Sequence, residues 1–336
     1  MNRVLIIGGG GYVGAELQKR LIEKNYNVTV YDTFWYTKGK WPVNAFPGQD
    51  RINYIEGDVR DLQKLKDALS DVDHCIHLAC ISNDPSYELN PDLANEINHK
   101  AFLALIQIVN ASNIKRFVYA SSSSVYGVKS EPNVTEELSL EPISDYSKYK
   151  VACESVLLEG LDSHIISTII RPSTVCGYSQ RQRFDLVVNI LTLSALTKKK
   201  ILVDGGDQYR PNLHIKDMVN CYLEVLEAPS ELINREIFNV AGQNLTVKEI
   251  ALRVKKVIDN GSEIEYLPVK DPRSYRVSGE KIEKVLGFRP QYSVDDAISD
   301  IRDAFFRGEY LDLNWSEYFN IKRMNELLSG SDILGQ

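Results

Sequence analysis

Tyr146 and Lys150, four positions apart, are the side chains in this chain best placed to move a proton together. On a helix that spacing puts both on one face. A tyrosine near its ordinary pKa of ~10 is a poor base at neutral pH. An ammonium about 4 Å away supplies roughly 4 kcal/mol at an effective dielectric of about 20. That lowers a phenol by about three pKa units, at about 1.36 kcal/mol each. Lys150 can therefore turn Tyr146 into a base toward a hydroxyl group while also holding a ribose. Upstream, the run Ser121-Ser122-Ser123-Ser124 follows the apolar stretch Phe117–Ala120. A serine where a strand ends can hydrogen-bond the oxygen that gains or loses the proton.

A second device lies at the beginning of the chain. Val4–Ile7 reads as a short buried strand, four glycines follow at 8–11, and an apolar, helix-compatible run extends from Tyr12 to Leu21. Glycines let the backbone turn tightly and approach an anion with no Cβ in the way. The helix that follows directs its unpaired N–H groups and the positive end of its dipole at phosphates. Gly9, Gly11 and Gly14 match G-x-G-x-x-G, and Gly8, Gly11 and Gly14 match the form with one more spacer. Asp32 closes a second apolar run, Val28–Tyr31, and can bind a ribose 2′-hydroxyl while repelling a 2′-phosphate. This selects NAD over NADP. Gly8, Gly11, Tyr12, Val13 and Asp32 are the resulting cofactor-binding candidates.

These groups need elements to hold them. Val4–Ile7, Val28–Tyr31, Ile52–Glu56, His74–Leu78, Phe117–Ala120 and Ile165–Ile170 read as buried strands, alternating with helical patterns near 12–24, 61–69, 92–111 and 145–160. Such alternation predicts an α/β fold, a Rossmann-type doubly wound parallel sheet whose ligands sit at the carboxyl ends of its strands. Thr33–Gln49, with Trp35, Trp41, Pro42 and Pro47, reads as an irregular surface loop with aromatics packed beneath it. Beyond Arg171-Pro172 the texture changes: an arginine-rich loop, a helix around Leu186–Leu196, a helix over 214–228, a strand at Ile237–Ala241 and an amphipathic helix over 246–259. The expected division is an NAD-binding unit of residues 1–170 plus 213–241. A smaller C-terminal α/β substrate lobe takes 171–212 plus 242–325.

The 336 residues exceed what one hydrophobic core usually spans, roughly 250–300 residues, which agrees with two lobes. The formal net charge of −7 disfavours a general nucleic-acid or anionic-membrane binder. Lys198-Lys199-Lys200, the basic run, reads as a solvated helix end. Five cysteines without a C-x-x-C pair point to a reducing compartment. His74 and His77 flank Cys75 within a strand, without further ligands at zinc-like spacing, so no metal site is expected. The chain opens on a strand and contains no apolar run of about 18 or more residues, so a cytoplasmic protein is expected.

Taken together, these motifs resemble the extended short-chain dehydrogenase/reductases, in their NAD-dependent nucleotide-sugar epimerase/dehydratase group (UDP-glucose 4-epimerase-like). The resemblance rests on Gly8-x-x-Gly11-x-x-Gly14, Gly57-Asp58-Val59-Arg60-Asp61, His77-Leu78-Ala79 and Asn98. It continues through Ser122 with Val125-Tyr126-Gly127, Tyr146-x-x-x-Lys150, Arg171-Pro172, and Arg210 before His214. It covers roughly residues 1–290. It implies Asp58 and Val59 at the adenine, Leu78 and Ala79 along the path to the nicotinamide ribose, and Asn98 among the cofactor contacts. Ser122, Tyr146 and Lys150 would be catalytic. Arg210 would grip the diphosphate of a nucleotide sugar, and Arg273 is either a second phosphate contact or a surface salt bridge.

The chain also departs from the pattern. Related dehydratases carry Asp-Glu directly after the catalytic Thr, where this chain has Ser123-Ser124, which argues against dehydration. Many epimerases have Asn where Thr174 stands. The segment Arg181–Asn189 resembles a branch of bacterial surface-sugar enzymes, making Arg183, Asp185 and Asn189 substrate-site candidates beside Thr174, Ser122, Arg210 and Arg273. The expectation is an NAD-dependent nucleotide-sugar epimerase working through a transient keto-sugar. The alternatives are a net oxidoreductase or dehydratase on a nucleotide sugar, and a catalytically inactive NAD-binding regulator. A homodimer through 92–111 and 145–160 is expected, with Phe102, Leu105, Val109, Val156 and Leu157 serving core or contact.

Overall fold

Six β-strands, each followed by a crossover, feed one parallel sheet, and a seventh returns from the C-terminal half. The computed structural model describes residues 2–37, 46–269, 273–310 and 312–330. Trp41, Pro42, Asp271 and Pro272 lie outside the described residues. The chain runs β1 (Arg3–Ile7), α1 (Tyr12–Glu23), β2 (Asn27–Asp32), β3 (Ile52–Glu56), α2 (Leu62–Leu69) and β4 (His74–His77). There follow α3 (Asp84–Glu88), α4 (Pro91–Asn95), α5 (Ala101–Asn110), β5 (Arg116–Ala120), α6 (Asp145–Gly160) and β6 (Ile166–Pro172). The expected strands and helices of this half stand within about two residues of their predicted limits, with one exception.

That exception is the stretch 92–111, expected as one helix. It begins as α4, passes through a single π-turn at Glu96–Lys100 and continues as α5. Asn98 sits in the π-turn. Its Oδ1 accepts from Ile81 N at 2.8 Å and its Nδ2 donates to Ile81 O at 3.0 Å. A buried loop after β4 leaves backbone groups that need partners, and the π-turn is where the helix supplies them.

The C-terminal half contributes β7 (Thr174–Cys176), α7 (Val187–Lys198), β8 (Lys200–Asp204), β9 (Tyr209–His214), α8 (Ile215–Glu227), α9 (Ser230–Ile233) and β10 (Glu236–Val240). Then come β11 (Gln243–Thr246), α10 (Val247–Ile258), β12 (Glu263–Leu267), α11 (Glu280–Leu286), α12 (Val294–Phe306) and α13 (Asn320–Ser329). The seven-stranded sheet has the order β10-β6-β5-β4-β1-β2-β3, with every neighbouring pair parallel. Its central strands β1, β4, β5 and β6 are buried on both faces, which is why they read as mostly apolar runs. The strand order reverses between β1 and β4, and the crevice above that point is where ligands of such sheets bind.

Apolar side chains from the two faces of the sheet form two cores. Leu5, Ile7, Phe102, Phe117 and Leu157 pack on one face, and Val4, Ile6, Leu17, Val30, Tyr222 and Phe238 on the other. A third core joins α7, α10 and α12 to β8 and β12 through Val188, Ile201, Ile250, Val254 and Ile298. α10 and α12 both open with a capping box, Thr246 with Glu249 and Ser293 with Asp296, each satisfying two end donors. Phe102, Leu105, Val109 and Leu157 are almost completely buried within this single chain. The core has taken them. Of the five residues held between core and subunit contact, only Val156 keeps part of its surface outside.

Candidate active site

One cleft of about 730 Å³ runs along the carboxyl ends of the strands. Its floor is the glycine turn. Gly8 has φ +86, and a Cβ there would come within 2.4 Å of the Ala79 backbone nitrogen, so the position admits only glycine. Gly14 would bring a Cβ to 2.5 Å from Gly9 O, which lets α1 lie close against β1. α1 starts after Gly11 with no side-chain cap and no acid in its first turn. Gly11, Tyr12, Val13 and Gly14 line the cleft, so uncapped N–H groups are available there to an anion. Asp32 stands beside them. Its carboxylate accepts from Gly10 N and Phe34 N, both at 2.8 Å. Burial pushes its pKa up, and these backbone donors draw it back. Asp58, Val59, Leu78 and Ala79 line the same half of the cleft. The residues present fit a dinucleotide: an uncapped helix end for its diphosphate and a carboxylate for a ribose.

Tyr146 and Ser122 face each other at the other end. α6 is capped by Ser144, whose hydroxyl accepts from Ser147 N, and this sets Tyr146 in the first helical turn. Ser122 ends the β5 loop, and its Oγ accepts from Ser124 N at 3.2 Å and Ser124 Oγ at 2.9 Å. Burial pushes the Tyr146 phenol well above its ordinary value. Cys80 and Asp84 push the same way, whereas Arg183 and a hydrogen bond with Ser122 pull it down. The strong lowering expected from Lys150 is not realised in this arrangement. Its ammonium lies 5.9 Å from the Tyr146 ring centroid and donates instead to Ala120 O at 2.6 Å. Lys150 is buried and is not part of the cleft wall. The i, i+4 spacing did bring the two residues to one face; the third partner, a strand-end carbonyl, draws the ammonium toward itself.

Beneath the serine turn lies a buried ion pair. Arg171 meets Glu154 through Nε at 3.0 Å and through NH2 at 2.6 Å, and its NH1 donates to Tyr126 OH at 2.8 Å. Tyr126 OH in turn donates to Asn239 Oδ1 at 2.8 Å, and Ser121 Oγ donates to Glu154. Arg171-Pro172 thus ties β6, β10, α6 and the serine turn together. Its role is to hold the site's frame.

The substrate-side candidates divide. Thr174, Asp185, Arg210 and Arg273 line the cleft. Asp185 pairs with Arg183 at 2.7 Å and also accepts from Asn83 Nδ2 at 3.2 Å. Arg273 pairs with Asp84 at 2.6 Å, and Arg210 donates to Arg273 O. Asn189 does not line the cleft: it is completely buried. Its Oδ1 accepts from Gly177 N at 3.0 Å, and its Nδ2 donates to Arg183 O at 2.8 Å and Tyr12 OH at 3.1 Å. It staples the 177–183 loop, whose backbone groups take its amide. Asn98, spent on Ile81, is likewise behind the wall.

Sequence reasoning missed several lining residues. Trp35 and Tyr36, assigned to a surface loop, line the cleft, as do Ser82, Asn83, Asp84, Arg181 and Asn320. Arg181 lies over the Tyr36 ring, 4.3 Å from its centroid. A signal was available for Tyr36 and Asp84, since both follow strand ends of a parallel sheet. None existed for Asn320, which stands 139 positions from Arg181 in the chain. His77 stacks on Tyr119 and Phe117 inside the core, and among the described residues no group of three His, Cys, Asp or Glu is arranged to hold a metal.

A family model described as the NAD dependent epimerase/dehydratase family matches residues 4–241. UDP-glucose 4-epimerase of Lactobacillus helveticus is 26% identical over 321 residues, covering 88% of this chain and 95% of its own. The solved structure of UDP-glucuronic acid 4-epimerase from Bacillus cereus, in complex with UDP-glucuronic acid and NAD, aligns with a TM-score of 0.80. It shares 23% identity and covers 91% of this chain and 99% of that one. A dTDP-glucose 4,6-dehydratase from Streptomyces venezuelae, with NAD bound, aligns equally well: TM-score 0.80, 24% identity, 91% and 98% covered. At these identities the solved structures establish the shared fold.

Proposed function

Because this chain belongs to the NAD-dependent epimerase/dehydratase family, we propose that it is an NAD-dependent nucleotide-sugar epimerase. The observation that carries this reading is the pairing of Ser122 and Tyr146 in a cleft whose serine turn offers no carboxylate. Ser123 and Ser124 stand where a dehydratase needs an acid and a base, and serines do not ionise near neutral pH without an activating partner. The carboxylates that do line this end, Asp84 and Asp185, are engaged by Arg273 and Arg183.

The glycine turn, Asp32 and Asp58 would hold NAD, which when bound would supply a reversible hydride acceptor. The protein's own groups manage the proton. Ser122 orients the sugar hydroxyl toward the phenol oxygen of Tyr146, and Tyr146 as phenolate takes the hydroxyl proton as the C–H bond breaks. Arg210 and Arg273 hold the diphosphate of the nucleotide, while the sugar turns in the cleft that Thr174 and Asp185 also line. Tyr146 then gives the proton back to the ketone oxygen as the hydride would return to the other face of the carbon. The division into a cofactor unit (1–170 plus 213–241) and a substrate unit (171–212 plus 242–325) belongs to this reading. So does a homodimer through the outer faces of α5 and α6, where Leu103 remains 38% exposed. A cytoplasmic location also belongs to it. No helix among the described residues is long and apolar enough to cross a membrane.

UDP-glucose and UDP-glucuronic acid are the first substrates to test, since relatives are named for them. The product is expected at unchanged mass with a new sugar NMR spectrum and no accumulating NADH. A product 18 mass units lighter would show dehydration, and one 2 units lighter with NADH would show net oxidation. Denaturing the purified protein is expected to release NAD(H) rather than NADP(H).

A further inference from the structure

Among the described residues, Arg181 is a buried cation without an anionic partner. It is 4% exposed and lines the cleft. NH2 donates to Asn320 Oδ1 at 2.7 Å, and Nε has no hydrogen-bond partner among the described residues. No carboxylate lies within ion-pair distance of it there. The carboxylates whose fields it feels are taken: Asp185 by Arg183 and Asn83, Asp32 by the backbone donors of Gly10 and Phe34. A guanidinium left buried with one neutral partner is costly unless a ligand completes it. The rest of its surroundings hold it ready. Tyr36 supports its face, and Asn320, itself 2% exposed, is fixed by a second bond to Ser82 Oγ at 2.9 Å. Phe184, completely buried against Tyr318 and Tyr310, anchors the loop that carries it.

Its position narrows the anion. The charge of Arg181 reaches Asp32, at the ribose end of the cofactor half. Its neighbour Arg183 acts on Tyr146, at the reacting end. A dinucleotide stretched between those ends passes its diphosphate between them. Tyr12, at the start of α1, is bonded to this same loop: Tyr12 OH donates to Gly177 O at 2.7 Å, and Ser179 Oγ donates to Tyr12 O at 2.8 Å. The loop therefore lies over the uncapped helix end.

We infer that Arg181, held by Tyr36 and by Asn320 of α13, clamps the diphosphate of the bound NAD. The inference rests on the NAD-dependent reading above and adds to it. Cofactor held from both the glycine turn and the C-terminal helix leaves only when that contact opens. Such retention suits an enzyme that regenerates its NAD in every cycle.

Calorimetric titration of the full chain, freed of nucleotide, with ADP-ribose and separately with UDP tests this. Arg181→Gln is expected to weaken ADP-ribose binding about 10- to 100-fold and to leave UDP within about twofold. Asn320→Ala, which keeps the charge but loosens its hold, is expected to weaken ADP-ribose about fivefold, and serves if Arg181→Gln does not fold. Wild-type affinity for ADP-ribose in both variants would overturn the inference, as would a loss confined to UDP. A wild-type chain that binds no ADP-ribose would overturn the NAD reading with it.

Discussion

Two cations sit against tyrosines in this molecule, Arg181 in the cleft wall and Lys150 behind it, and they were assembled in opposite ways. Lys150 and Tyr146 lie one helical turn apart on α6, and their nearness follows from spacing alone. Arg181 and Tyr36 come from distant loops and are locked by Asn320 from the last helix. The local pair reaches one face with no help from the fold, yet the fold reassigns its ammonium to Ala120 O. The distant pair owes everything to tertiary packing, and Arg181 is buried so fully that its pKa is pushed down to about 10. Local spacing brings chemical groups together, while burial and third partners decide what those groups can do.

The comparison is broken most severely at the local pair. Tyr146→Phe is expected to lower kcat by about 10²- to 10⁴-fold, the usual worth of general acid–base catalysis. It should leave the NAD content of the purified protein unchanged. Near-normal turnover of UDP-glucose or UDP-glucuronic acid, whichever the wild type accepts, would show that the phenol is not the base. Because burial holds that phenol high, kcat of the wild type should climb as pH rises from neutral into the alkaline range. A flat profile would indicate that the base is already ionised or lies elsewhere.

Next in size is the frame beneath the local pair. Glu154→Ala strands Arg171 in the interior, where its side chain is 3% exposed, and should cost about 3–5 kcal/mol in denaturant unfolding. A loss below about 1 kcal/mol, the worth of an exposed pair, would mean water reaches the network. The smallest expected effect concerns the core under the local pair. Burial holds His77 neutral, its pKa drawn down to about 3, and His74 to about 4. A histidine depressed in the fold stabilises fully above its unfolded value of about 6.5, and that contribution is lost as pH falls below it. His77→Phe should therefore flatten the fall in Tm between pH 7 and pH 5. An unchanged slope would assign that fall to carboxylates instead.

The parallel sheet, the glycine turn and the Tyr146 helix were legible because each depends on local pattern. Buried strands read as apolar runs, Gly8 and Gly14 stand where a Cβ has no room, and Ser144 caps the helix it precedes. Asp32 was legible because it follows the second strand at the spacing its chemistry needs. Asn189 and Asn98 were less legible for the opposite reason. A polar side chain near a site serves a ligand or a loop backbone equally well, and only the nearest unpaired N–H or C=O decides which. Gly177, Arg183 and Ile81 had such groups, and they claimed both amides.

The amino-acid sequence by itself determined the strand–glycine–helix device, the acid at Asp32, the Tyr146–Lys150 face and the serines that stand in place of a dehydratase's carboxylates. These are matters of residue type and short spacing. Tertiary structure alone decided that Lys150 turns to a carbonyl, that Arg181 settles over the Tyr36 ring, and that Asn320 reaches back to Arg181. Those outcomes depend on which polar groups are left unpaired once the sheet and its helices have closed, and that accounting exists only in the folded chain.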